Sequence, residues 1–189
     1  MQDVLNQKLE ALKLKNSQAY QDFNEAFKQG FASKGEILEP SNSTCKYLYI
    51  LQSGITKQFR DKEDGTEHII WFNFAGDLVT AFRSFVERTP TNEGIKVIAD
   101  CTYLKVPRDK CYQLVEMYHE VETFVREMLE IYLIQSEERV FFLQALTAKE
   151  KYSYLQKNMP YFIQDLPQKE LAKFLGITRE TLSRIRKYS

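Results

Sequence analysis

Gln168-Lys169-Glu170-Leu171-Ala172-Lys173-Phe174-Leu175-Gly176-Ile177-Thr178-Arg179-Glu180-Thr181-Leu182-Ser183-Arg184-Ile185 is the most tightly patterned stretch of this 189-residue chain. Its apolar positions at Leu171, Ala172, Leu175, Ile177, Leu182 and Ile185 have the spacing of two short helices that share one apolar side. Gly176 falls between them, where a tight turn needs a backbone conformation that a β-carbon makes costly. Ala172 is small enough for the second helix to approach the first, and the larger apolar residues form the wedge that fixes their crossing angle. Thr178 stands where the second helix wants an N-cap. The stretch therefore predicts a helix-turn-helix.

Away from the wedge lie Arg179, Glu180, Ser183 and Arg184, with Lys187 one turn later. In a helix-turn-helix this face enters the DNA major groove. Arg donates two hydrogen bonds to guanine, and Glu accepts one from cytosine. Lysines and arginines number 26, as do aspartates and glutamates, yet Gln168–Ser189 holds six basic residues against two acidic ones. A basic end on a mildly acidic body suits a nucleic-acid reader. The same charge also suits a solvated helix face, and an ordinary helical hairpin is the alternative.

Upstream, Ala148-Lys149-Glu150-Lys151-Tyr152 opens another helix, and Met159-Pro160 and Leu166-Pro167 interrupt the pattern, because proline lacks the backbone donor. From Arg108 to about Thr147 the period is helical throughout. Leu114, Tyr118, Val121, Val125, Met128 and Tyr132 step by 4, 3, 4, 3 and 4, a heptad seam that predicts pairing with a second copy of the chain. A helix wholly buried within a monomer is the competing reading.

Between Lys34 and Pro107 short apolar runs such as Tyr47–Leu51, His68–Phe72, Ile95–Ile98 and Tyr103–Val106 alternate with turn residues. Asp64-Gly65 between two of them is a hairpin signal. An antiparallel sandwich or roll is expected. Asp3–Phe31, with Val4, Leu5, Leu9, Leu12, Ala19, Phe23 and Phe27 on one side, reads as one or two amphipathic helices. The expected organisation is an α+β chain: residues 1–110 form a sensor roll with N-terminal helices, 111–146 a long dimerisation helix, and 147–189 the all-α helix-turn-helix domain.

An apolar share of 43% with 28% charged residues excludes a disordered chain. No apolar run approaches the ~18 residues of a membrane span, so a cytoplasmic location is expected. Three dispersed cysteines (Cys45, Cys101, Cys111) and two histidines (His68, His119) provide neither a disulfide framework nor metal-ligand spacing. No metal and no cofactor is expected. With no nucleophile, Walker or dinucleotide motif present, the expectation is a non-enzyme.

Nearly the full length resembles the Crp/Fnr family of bacterial transcription regulators. Lys34-Gly35-Glu36-Ile37-Leu38, Tyr47–Gly54, Asp64-Gly65-Thr66-Glu67 and Gly76-Asp77 resemble the turns and strands of that family's antiparallel β-roll, a double-stranded β-helix of the cyclic-nucleotide-binding type. Ile177–Arg184 resembles its recognition helix. The resemblance implies that Arg179, Glu180 and Arg184 read bases, that Thr178, Thr181 and Lys187 hold phosphates, and that the target is double-stranded DNA of two-fold symmetry bound by a homodimer. It also implies RNA polymerase as a partner and an unidentified small-molecule effector.

Two departures qualify the expectation. The family's cyclic-AMP binders carry Gly-Glu and then Arg-Ser/Thr-Ala, motifs missing after Gly76-Asp77, where Glu93 falls near the expected Arg. Cyclic AMP is therefore not expected, and Arg83 and Arg88 remain as candidates for another anion. Only Ser189 follows Tyr188, so the β-hairpin wing is expected to be missing, with fewer phosphate contacts and a flatter salt dependence. The rival expectation is a ligand-sensing or protein-interaction module whose helix-turn-helix no longer binds DNA.

Overall fold

A computed structural model describes residues 2–187. The chain end to which the expected missing wing refers, and the side chain of Val4, lie outside the described residues. The chain forms two compact units, 1–129 and 130–189.

The first unit opens with helices α1 (Gln2–Lys15) and α2 (Ser17–Ala26). Leu5 and Leu12, two turns apart on α1, are buried, as are Ala19 and Phe23 on α2. The Asn16 side chain caps α2 by accepting the Ala19 amide at 3.0 Å. The helical reading of Asp3–Phe31 stops short, because the chain turns extended at Phe27. Residues Lys28–Ala32 form strand β1. Tertiary pairing overrides the amphipathic pattern here, and Gly30 matters to it: a β-carbon at Gly30 would lie 2.5 Å from the Tyr103 ring.

After β1 come β2 (Ile37–Glu39), β3 (Tyr47–Leu51), β4 (Ile55–Asp61), β5 (Glu67–Asn73), β6 (Leu78–Val79), helix α3 (Phe82–Glu87), β7 (Glu93–Ala99) and β8 (Cys101–Pro107). The strands build two four-stranded antiparallel sheets in the orders β1-β8-β3-β6 and β2-β7-β4-β5, the roll expected from the turn spacing. Asp64-Gly65 makes the β4–β5 hairpin, with Gly65 donating to the Lys62 carbonyl at 3.0 Å. Ala32, Tyr49, Leu51, Val79, Cys101 and Tyr103 of one sheet meet Ile95 and Val97 of the other in the core. Each fully buried aliphatic side chain contributes about 1.5–3 kcal/mol.

Helix α4 (Arg108–Met117) and helix α5 (His119–Ala145) replace the single long helix predicted from residue 111. Tyr118 breaks them with extended backbone, φ −128° and ψ 112°. The heptad pattern runs through this break undisturbed, which is why sequence alone does not show it.

Within the second unit, helix α6 (Ala148–Asn158) starts at a capping box in which Thr147 and Glu150 bond each other's backbone reciprocally. Helix α7 (Pro160–Asp165) carries proline at its first position, where the missing donor costs nothing. Helices α8 (Gln168–Leu175) and α9 (Arg179–Lys187) complete the chain. The core of this unit is aromatic: the Phe174 ring lies 5.8 Å from both Phe142 and Phe162, and Leu155, Leu171 and Leu182 are fully buried. Among the described residues, no helix is long and apolar enough to cross a membrane.

Candidate functional site

The α8–α9 pair is built as its sequence predicts. Gly176 ends α8 in the left-handed region, φ 71° and ψ 30°. This lets its amide reach the Lys173 carbonyl at 3.1 Å and the Ile177 amide reach Ala172 at 3.0 Å, which satisfies carbonyls that a helix end leaves open. Leu171, Ala172, Phe174, Leu175 and Leu182 are buried, and Ile177 and Ile185 are half-buried. Thr178 caps α9: its hydroxyl oxygen accepts the Thr181 amide at 3.2 Å, and its own hydroxyl lies 3.2 Å from that of Thr181.

The buried Leu182 turns the rest of α9 outward. Arg179, Glu180, Ser183, Arg184 and Lys187 are all exposed, Thr178 is exposed and Thr181 half-buried. Arg179 and Ser183 share one edge of the face, while Glu180, Arg184 and Lys187 share the other, at spacings of four and three. The Glu180 carboxyl is held below the usual carboxylate range by its own backbone amide and then by the Thr178 side chain, so it is ionised at neutral pH. That contact ties Glu180 to the helix start. Sequence reasoning missed Arg186: it is exposed on the same edge as Arg179 and Ser183, and its place seven residues after Arg179 was the available signal.

On α4 and α5 the expected seam divides. Leu114, Val121 and Met128 are buried in the first unit, Tyr118 and Val125 are half-buried, and Tyr132 is exposed. The exposed apolar stripe lies beside that seam: Leu129, Tyr132, Leu133, Val140 and Leu143 expose 44, 37, 62, 52 and 39% of their surface. They share one side of α5, with Val125 one turn before Leu129.

A cleft of about 240 Å³ beside α3 is lined by Arg60, Arg83 and Thr89–Glu93. Arg83 pairs with Glu87 at 3.0 Å. Arg88, in the left-handed region after α3, pairs with Asp109 at 2.5 Å and does not line the cleft. Glu93 is buried and faces Arg60 at 3.7 Å; burial pushes its carboxyl above the usual range against the pull of Arg60. Elsewhere in the first unit, Lys57 and Lys96 both meet Glu67, at 2.5 and 3.6 Å, and Arg108 donates to the Phe85 carbonyl at 2.6 Å. Both arginines that line the cleft thus face glutamates of the chain itself. A cyclic phosphate needs charge-assisted donors, and in this cleft Arg60 and Arg83 already face glutamates.

Residues 31–118 match the family described as Cyclic nucleotide-binding domain. One chain thus holds a roll of the cyclic-nucleotide-binding type and a helix-turn-helix. FixK2 from Bradyrhizobium japonicum has a similar structure, with a TM-score of 0.70 at 17% identity over 86% of this chain and 83% of that one. The Xanthomonas campestris protein CLP, described as a c-di-GMP responsive global regulator, gives 0.65 at 14% identity over 92% and 91%. The Thermus thermophilus catabolite activator protein gives 0.53 at 20% identity over 89% and 82%. No curated protein matches the chain by sequence. The chain thus carries a cyclic-nucleotide-binding-type domain over residues 31–118 and shares the fold of these solved structures.

Proposed function

We propose that this chain is a homodimeric, sequence-specific DNA-binding transcription regulator whose roll does not take cyclic AMP. The observation that carries the reading is α9, with Leu182 buried on one side and Arg179, Glu180, Ser183, Arg184 and Lys187 exposed on the other. A firmly seated helix with an exposed, mainly cationic face is the element that enters a major groove.

In this reading Arg179 and Arg184 donate to guanine edges, and the ionised Glu180 accepts from cytosine once it leaves its contact with Thr178. Thr178, Thr181, Arg186 and Lys187 hold phosphates, which fixes register and adds affinity without sequence information. Two copies pair through Val125, Leu129, Tyr132, Leu133, Val140 and Leu143, the exposed stripe of α5, so that two copies of α9 meet half-sites one turn of DNA apart. Leu114, Val121 and Met128 serve the roll and not the pairing. A non-enzymatic role in the cytoplasm, with RNA polymerase as a partner and an effector that is not a cyclic nucleotide, completes the proposal.

Selection from a pool of random duplexes tests it. The expected product is a two-fold symmetric site with half-sites about 34 Å apart; a pool that stays random after repeated selection would overturn the reading.

A further inference from the structure

The fold brings two cysteines that are far apart in sequence to one place. Cys45 precedes β3, and Cys111 lies in α4. The Arg108 amide, at the start of α4, donates to the Lys46 carbonyl at 2.9 Å. Cys45 is the residue just before one end of that bond, and Cys111 lies one helical turn beyond the other. Cys45, Ala81 and Phe85 form a small buried cluster, and Leu48 and Cys111 pack against it. The third cysteine, Cys101, belongs to the separate core between the two sheets.

The two thiols differ in access. Cys45 is buried and Cys111 is half-buried, so a small solute from the solvent reaches Cys111 first. The Cys45 Sγ lies 3.4 Å from the Tyr47 carbonyl oxygen and 3.3 Å from the Thr80 hydroxyl, which holds it in the cluster. Burial pushes both thiols up, and the Arg108 guanidinium draws Cys111 back toward the thiolate, the form that reacts.

We propose that Cys111 and Cys45 are a peroxide-responsive pair that closes into a disulfide within one chain. The Cys111 thiolate attacks one oxygen of hydrogen peroxide: an S–O bond forms, the O–O bond breaks, and the departing hydroxide takes up the thiol proton as water. The Cys45 thiolate then attacks the sulfur of the Cys111 sulfenic acid. The S–S bond forms, the S–O bond breaks, and the second hydroxide leaves as water with the Cys45 proton. The thiol pair gives up two electrons, and one peroxide is reduced to two waters. The product fastens the start of β3 to α4. In surroundings that keep thiols reduced, such a bond is transient and redox-sensing. The proposal does not depend on DNA binding, and its test does not use DNA.

The full chain is treated with hydrogen peroxide, its remaining thiols are alkylated with iodoacetamide under denaturing conditions, and its peptides are mapped by mass spectrometry without reductant. The expected product is a single chain with Cys45 linked to Cys111, opened by dithiothreitol, and with Cys101 alkylated as in untreated protein. In Cys45→Ser the Cys111 sulfenic acid has no resolving thiol, and dimedone should label Cys111 at least about fivefold more than in wild type. Alkylation of both Cys45 and Cys111 after peroxide, a link through Cys101, or a link between two chains would overturn the pair. So would equal dimedone labelling of Cys111 in wild type and variant.

Discussion

Glu93 of β7 lies opposite Arg60 of β4 in the sheet register, and the buried carboxylate stands 3.7 Å from the guanidinium. The chain thereby places a negative charge of its own in the cleft beside α3, and the neighbouring cations are held in further pairs. Glu93 and Arg60 thus answer each other across the cleft, and Arg83 pairs with Glu87 beside them.

Thermal unfolding with and without cyclic AMP tests the proposal that the roll does not take this ligand. A ligand at one hundred times its dissociation constant would stabilise the folded chain by about 2.7 kcal/mol. No shift of the unfolding midpoint is expected at millimolar cyclic AMP, and a rise would contradict that proposal.

Arg179→Ala is expected to cost about 1–3 kcal/mol of discrimination at one base pair of the selected site. Arg186→Ala should weaken binding evenly on all sequences and reduce the log–log salt slope by about 0.9. Titration of matched and mismatched duplexes at several salt concentrations separates the two behaviours.

Val140→Glu places a charge on the exposed stripe of α5, where 52% of the native side chain is free of intramolecular cover. Sedimentation should show monomers with unchanged helix content. Val121→Ala, in contrast, removes methyl groups from a fully buried site and should lower stability while leaving dimers intact. Dimers that survive Val140→Glu would contradict the assigned stripe.

Gly176→Ala forces a β-carbon into the left-handed region at φ 71°. Space is open around the position, so the cost is backbone strain alone, about 1–2 kcal/mol. Chemical denaturation followed by circular dichroism measures it.

Burial pushes the Glu39 carboxyl above the usual glutamate range, against the pull of the Tyr49 hydroxyl, which donates to it at 2.8 Å. With its folded pKa above the unfolded one, the native state binds the extra proton between the two values, and stability falls as pH rises through that window. The window opens at about 4.3, the ordinary glutamate value. Glu39→Gln should flatten this slope in urea midpoints measured across it.

Much of this was legible in the sequence because local chemistry determined it. Gly176, Thr178 and the wedge from Leu171 to Ile185 each obey a rule that operates within a few residues, and the turns at Asp64-Gly65 and Gly76-Asp77 delimited the strands. What escaped detection depended on distant partners. Strand β1 looks helical until β8 captures it, and the heptad period runs undisturbed through the extended backbone at Tyr118. Periodicity shows that α4 and α5 have an apolar side without showing that Leu114, Val121 and Met128 on it are already buried within the first unit. Glu93 could be flagged as hostile to phosphate, but Arg60, its partner, was visible only in the register of β4 and β7.

The most direct measurement of the central claim is fluorescence anisotropy of the selected duplex against a scrambled one, with wild type and an Arg179→Ala/Arg184→Ala variant. The account predicts that wild type favours the selected duplex by at least about 10³-fold at physiological salt and that the variant loses most of this ratio while staying folded. Equal affinity of wild type for both duplexes would contradict it.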